Sequence, residues 1–263
     1  MSDAIASRLE AALRIAEEAG ALGTRYFRAL DSLTIESKGH QDLVSDADRE
    51  VELLVRARLA ETFPDDAIVG EEHAPKPGTS GITWVIDPID GTANFVRGIP
   101  AWCVAIACTD AAGTVLGVTF EPSSGETFWA SRGGGAFVNG RPMRASPSRS
   151  LGDGSVAVGY SNRTEAKRAL ALMAELTGEG GIFFRNASGA LMLAYVAAGR
   201  LIGYVEEHMN SWDCLGGLLM IEEAGGHVRP LDPATMVAKG GMIVAGGPDI
   251  FARIERLADN AFG

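Results

Sequence analysis

The run Trp84-Val85-Ile86-Asp87-Pro88-Ile89-Asp90-Gly91-Thr92 ends an apolar strand pattern abruptly on two carboxylates, a glycine and a hydroxyl. Val85 and Ile86 hold such a strand in a core, while Pro88 has no N–H with which to continue a ladder. Asp87 and Asp90 are therefore expected to emerge at the strand end with converging oxygens, and Gly91-Thr92 to open a turn or short helix whose free N–H groups receive a phosphate. Glu71 and Asp213 also stand at the ends of apolar segments. Carboxylates gathered in this way repel each other unless a hard cation lies between them, and oxygen donors suit Mg²⁺ or Mn²⁺ better than a thiolate-seeking metal. The chemistry to expect is phosphate handled through a divalent cation.

These residues need elements to hold them. Ile5, Leu9, Leu13 and Ala16 recur at helical spacing within Met1 to Gly20, an amphipathic helix rather than a signal peptide. Leu33 to Glu36 alternates like a strand, and Ser45 to Phe63 reads as a second helix ended by Pro64, with Asp46 and Asp48 in its first turn. Asp46 reads as decoration of that helix and Asp42 as support for the loop 37–41. Strands are expected at Ala67 to Val69, Thr83 to Ile86, Trp102 to Thr109, Val115 to Phe120 and Thr127 to Ser131, a meander of antiparallel character. Further on, strands at Ser155 to Gly159, Ile182 to Arg185, Leu201 to Val205 and Met242 to Ala245 alternate with helices. Those helices fall at Thr164 to Thr177, Ala190 to Ala198, Trp212 to Ala224 and Asp249 to Ala258. Periodicity thus gives mixed α and β elements in layers.

The 263 residues, 46% of them hydrophobic, suffice for a sizeable core, and with no linker, repeat or low-complexity tract they read as one domain, 1–263. A formal net charge of -11 argues against nucleic acid as substrate, because phosphate backbones demand clustered cations. Cys103, Cys108 and Cys214 lack any C-x-x-C spacing and suit a reducing cytoplasm, with Cys103 and Cys108 on opposite faces of one strand. No apolar run approaches the ~20 residues that span a bilayer, so no membrane partner is expected. His40, His73, His227 and His208 form no metal-binding spacing, although His208 stands between Glu206 and Asp213.

Asp87-Pro88-Ile89-Asp90-Gly91-Thr92 resembles the signature of the inositol monophosphatase family. Three more segments follow the family's order: Asp42-Leu43-Val44-Ser45-Asp46-Ala47-Asp48, Gly70-Glu71-Glu72, and Trp212-Asp213 with Glu223-Ala224-Gly225-Gly226. The resemblance implies an α+β layered architecture, the αβαβα five-layer sandwich of the fructose-bisphosphatase/inositol monophosphatase superfamily, and a homodimer. It implies a first metal on Glu71, Asp87 and the carbonyl of Ile89, a second on Asp87, Asp90 and Asp213, and a weaker third sharing Glu71. Thr92 would orient the attacking water, Asp48 would fix the Thr92 hydroxyl, and Glu71 would share in catalysis. Asp90, Gly91, Thr92, Gly189, Glu206 and Asp213 would meet the substrate. The chain departs from the family at Ala187-Ser188-Gly189-Ala190, where Gly-Ser-Ala-Ala is common, and the change falls beside the substrate hydroxyls.

The expected function is a Mg²⁺-dependent, lithium-sensitive phosphomonoesterase acting on a small polyol or sugar-like phosphate, inositol monophosphate first. Histidinol phosphate and 3′-phosphoadenosine 5′-phosphate are alternative substrates. A regulatory binding protein that keeps the fold is the alternative outside catalysis. Since no motif positions a cationic side chain to neutralise the phosphate, activity is expected to need Mg²⁺ and to vanish with chelator.

Overall fold

The computed structural model describes residues 3–39, 42–161 and 163–263. Of the loop expected over 37–41, residues 37–39 instead end a strand paired with the one that begins at Asp42, while His40 and Gln41 lie outside the described residues. Helices α1 (Asp3–Phe27) and α2 (Asp46–Thr62) pack together over one face of a seven-stranded sheet. That sheet contains β3 (Ala67–Gly70), β4 (Thr83–Asp90), β5 (Cys103–Asp110), β6 (Gly113–Glu121), β7 (Glu126–Ser131), β8 (Gly135–Val138) and β9 (Arg141–Pro142) in sequential order. From β4 onward every neighbour is antiparallel, as the meander requires, and only β3 joins β4 in parallel. A short hairpin of β1 (Ile35–Gly39) and β2 (Asp42–Ser45) leads into α2, and α3 (Thr92–Phe95) follows β4.

A second sheet, ordered β11-β10-β12-β14-β13, is built from β10 (Ser155–Val158), β11 (Ile182–Phe184), β12 (Gly203–Met209), β13 (His227–Val228) and β14 (Gly241–Gly246). Between the sheets lie α5 (Gly189–Ala197) and α6 (Ser211–Glu223), while α4 (Ala166–Gly178) and α8 (Phe251–Phe262) cover the outer face; α7 (Pro233–Lys239) packs on α6. The layers therefore run α1/α2, seven strands, α5/α6, five strands, α4/α8, which is the αβαβα sandwich.

Each gap has its own apolar core. Leu9, Ile15, Val51 and Val55 meet Trp84, Ile86 and Ile106; Val85, Ala105 and Phe128 meet Leu193, Leu218 and Met220; Val156 and Val244 meet Leu172 and Ile254. Cys103 faces the inter-sheet core and Cys108 the α1/α2 core, on opposite sides of β5. Helix α1 runs past Gly20, where the sequence pattern predicts its end. The glycine serves close packing instead: a Cβ at Gly20 would lie 2.4 Å from the Phe120 ring. Short pieces β2, β8, β9, β13 and α7 escape the sequence pattern, because two to seven residues hold too little periodicity to register.

Candidate active site and metal centre

Strand β4 does not stop at Pro88. The ladder breaks between Asp87 and Asp90 and resumes, with Asp87 opposite Ala105 and Asp90 opposite Cys103. Three steps on β4 thus oppose two on β5, a bulge with one extra residue at a proline that has no N–H to donate. In a regular strand residues three apart face opposite sides. Because Ala105 and Cys103 share a face, the bulge turns both Asp87 and Asp90 toward the inter-sheet layer. Gly91 then reverses the chain at φ +100°, where a Cβ would lie 2.8 Å from the Ala101 carbonyl oxygen, so only glycine fits.

Glu71 arrives from the end of β3, and Asp213 from the first turn of α6, the N3 position after Asn210. Carboxylate oxygens of Glu71, Asp87 and Asp213 lie within 4.8 Å of one another. Asp87 is 2% exposed, and burial followed by the charges of Glu71, Asp90 and Asp213 drives its carboxyl well above the ordinary range. Asp213 is pushed up to about 7, chiefly by burial and then by Asp90, and shares a hydrogen bond with Asp87. Three hard oxygen donors at this separation fit Mg²⁺ or Mn²⁺.

Asp90 stands beside this trio with another duty. Its carboxylate accepts the Ser188 hydroxyl at 2.7 Å and the N–H groups of Gly189 at 3.2 Å and Ala190 at 2.6 Å, the opening of α5. Burial raises its carboxyl while these donors lower it. A carboxylate at a helix N-terminus is favourably placed, so Asp90 ties the bulge to α5 as well as lining the cleft.

The Thr92 hydroxyl lies 3.0 Å from Asp48 Oδ1 and 3.1 Å from the carbonyl of Ile89. Asp48 is buried at N3 of α2 and accepts both the N–H and the hydroxyl of Ser45, at 2.8 and 2.6 Å. Burial lifts its carboxyl, which the Ser45 and Thr92 donors offset. With the Thr92 proton directed to Asp48, the lone pairs of Thr92 are left for a donor in the cleft.

A cleft of about 530 Å³ joins Glu71, Asp87, Ile89, Asp90, Gly91, Thr92 and Asp213. A smaller recess continues from Asp90 and Asp213 to Gly189 and Glu206. Glu206 accepts the Tyr204 hydroxyl at 2.5 Å, and burial pushes its carboxyl up to about 7 against the lowering effect of Tyr204 and Arg185. All the expected site residues thus border one connected space, except that Asp48 reaches it through Thr92. His208 does not: its Nε2 lies 3.0 Å from the Lys239 carbonyl, away from the cleft.

The cleft has cationic walls, with Arg97, Arg163 and Arg185 lining it together with Tyr160 and Asn210. The arginines come from irregular segments after α3, β10 and β11, where no period or motif marks them. Ser188 and Tyr204 were likewise silent in the sequence, since a hydroxyl partner of a carboxylate leaves no spacing signature. Ala187, also on the cleft wall, is held at φ +63°, a left-handed conformation costing a non-glycine residue ~1 kcal/mol or more.

The model of the inositol monophosphatase family matches residues 5–260. The chain belongs to that family. Inositol-1-monophosphatase of Rhizobium meliloti is 35% identical over 243 residues, 91% of each chain. Nus factor SuhB of Escherichia coli K12 is 35% identical over 245 residues, 92% of each. Among solved structures, extragenic suppressor protein suhB of Bartonella henselae superposes with a TM-score of 0.90 at 34% identity, covering 96% of this chain and 98% of that one. The Thermotoga maritima IMPase superposes at 0.86 with 28% identity, over 97% and 98%. Inositol monophosphatase relatives and SuhB relatives thus share one fold with this family member.

Proposed function

We propose that the protein is a Mg²⁺-dependent phosphomonoesterase of small polyol phosphates, with inositol monophosphate as the first substrate to test. The observation that carries this reading is the convergence of Glu71, Asp87 and Asp213 within 4.8 Å, in the same cleft as the Thr92–Asp48 hydrogen bond. A binding protein has no need of an oriented hydroxyl beside a cation site. Glu71, Asp87, the Ile89 carbonyl, Asp90 and Asp213 are the ligand set for two or three ions, Mn²⁺ being the natural substitute. Bound divalent cations supply charge neutralisation of the phosphate and Lewis acidity toward its oxygens.

The chain's own residues do the rest. Asp48 holds the Thr92 proton, so that Thr92 accepts from the attacking water and fixes its approach to phosphorus. The turn at Gly91 brings the first N–H groups of α3 to the phosphate oxygens. Glu206 and the backbone at Gly189 receive the hydroxyls of the leaving alcohol. Arg163 and Arg185 add positive charge at the same wall and favour an anionic ester over its neutral analogue.

The decisive experiment is phosphate release with Mg²⁺ across inositol monophosphates, histidinol phosphate, 3′-phosphoadenosine 5′-phosphate and fructose bisphosphate. Turnover of an inositol monophosphate, abolished by chelator and inhibited by lithium, is the expected result. Release from none of the panel would favour the second reading, a partner-binding protein, which the Nus factor name of the 35%-identical relative supports. One apolar core continuous between the two sheets supports a single domain, and the buried, unpaired Cys103, Cys108 and Cys214 suit a cytoplasmic location. Exposed Ile182 and Phe183 on the edge strand β11, beside exposed Leu170 of α4, support a homodimer. Sedimentation would test it.

A further inference from the structure

Helix α2 offers the site more than Asp48. Asp48, Glu52 and Arg56 follow one another every four residues and so share one face of the helix. Glu52 is completely buried, and its partners are the peptide groups that follow Glu71. Its Oε2 accepts the N–H of Glu72 at 2.7 Å, and its Oε1 accepts the N–H of His73 at 3.2 Å and Nε of Arg56 at 2.6 Å. Arg56 completes the clamp by donating from Nη2 to the carbonyl of His73 at 2.9 Å. Gly70 makes room for it: a Cβ there would lie 2.3 Å from Glu52 Oε1. On the other side of Glu71, its own N–H is tied to the Ile86 carbonyl at 3.3 Å.

A buried ion pair is weak support for stability, since well-packed apolar side chains of similar volume often do as well or better. The hydrogen bonds of this pair join its members to one another and to two successive residues, Glu72 and His73. We infer that Glu52 and Arg56 are positioning residues that aim Glu71 at the metal centre. The inference rests on the metal-site reading proposed above. It makes α2 a rigid bar that sets two functional groups at once, the Thr92 hydroxyl through Asp48 and the Glu71 carboxylate through Glu52. Partners that orient metal ligands typically contribute about 10–100-fold in metal affinity.

The test is Mn²⁺ binding to the metal-free full-length protein, by isothermal titration and by the electron paramagnetic resonance signal of Mn²⁺, with no substrate present. Glu52→Gln keeps the size but turns an amide N–H toward the backbone donors, and Arg56→Met keeps the stem but removes the fork. Either is expected to weaken Mn²⁺ binding about 10–100-fold and to change the resonance line shape. Val55→Ala, in the apolar core on the same helix, should lower the melting temperature and leave the Mn²⁺ Kd where it was. If Glu52→Gln does not fold, Arg56→Met decides alone. Mn²⁺ affinities within twofold of the parent in the folded variants would overturn the positioning role while leaving the metal site standing. A parent protein that binds no Mn²⁺ would overturn the metal site and this role together.

Discussion

The floor and the rim of the cleft are built on different principles. On the floor, Asp87, Asp90, Asp48 and Asp213 are fixed by backbone: a bulge, a helix N-terminus accepted by Asp90, and two N3 positions. On the rim, Arg163, Arg185 and Tyr160 are exposed and project from irregular chain, and Arg185 is held by one bond from Nη2 to the Tyr160 carbonyl at 3.2 Å. Fixed carboxylates give a geometry that chemistry needs and that folding must tolerate; an exposed rim gives recognition that can be retuned without touching the core. Variants at the two levels should therefore differ in kind.

The largest effect is expected at Asp87→Asn. Loss of one ligand charge removes several kcal/mol of charge stabilisation, so kcat should fall about a thousandfold. The metal-free protein should melt no lower, because the amide replaces a carboxyl that burial and its acidic neighbours already drive toward the neutral form. Steady-state kinetics beside calorimetry checks both, and a retained rate would break the distinction. Asp90→Asn is a harsher change than its size suggests: its amide would confront donors from Ser188, Gly189 and Ala190, so stability should fall along with rate.

Thr92→Ala should lower kcat about a hundredfold through misoriented water, with Mn²⁺ affinity unchanged. Equal loss of metal would move Thr92 from orientation into ligation.

Stability against pH gives the next test. The Asp213 carboxyl titrates near 7 in the metal-free fold and near 4 when unfolded. Between those values the native state binds more protons than the unfolded chain, so this group's contribution to stability falls as pH rises from about 4 to about 7. Metal-free protein should accordingly lose melting temperature across that window and recover it at pH 7 with Mg²⁺. A melting temperature that is flat with pH in chelator would deny the crowding of the floor.

In the recess behind the floor, Glu206→Gln should raise KM for a polyol phosphate about tenfold, by loss of a charge-assisted acceptor, and leave a simple aryl phosphate unaffected. The smallest change is expected at Arg163→Ala, a few-fold rise in KM that fades with added salt, as for any exposed charge. A large kcat effect there would place the guanidinium against the phosphate itself.

Legibility follows the same division. Asp87, Asp90 and Thr92 announce themselves because a proline in an apolar strand and a glycine after it leave local traces, whereas Glu71 and Asp213 are marked by their places at the ends of apolar segments and by the resemblance to the family's motifs. The bulge itself was not legible, because Pro88 reads as a stop and only the partner strand shows that pairing resumes. Helix and strand periods gave mixed elements in layers and the family resemblance implied their five-layer order, but which helices fill the middle depends on long-range packing. Arg163, Arg185, Tyr204 and the Glu52–Arg56 clamp were invisible for a common reason. Their roles come from segments far apart in sequence meeting in space, and a charged residue on a helix looks like solvated surface until its partners are known.

Helix α6 has one more consequence, in time rather than space. Its Leu215, Leu218 and Met220 cover Val85, Ala105 and Phe128, which leave the ribosome some hundred residues earlier. During synthesis the inner face of the first sheet waits uncovered, a sticky surface of the kind that recruits chaperones or aggregates. Leu193 of α5 and Leu218 and Met220 of α6 together close that face. Helix α6, in closing the core, thus also brings Asp213 to Glu71 and Asp87, two carboxylates that stand near the ends of β3 and β4.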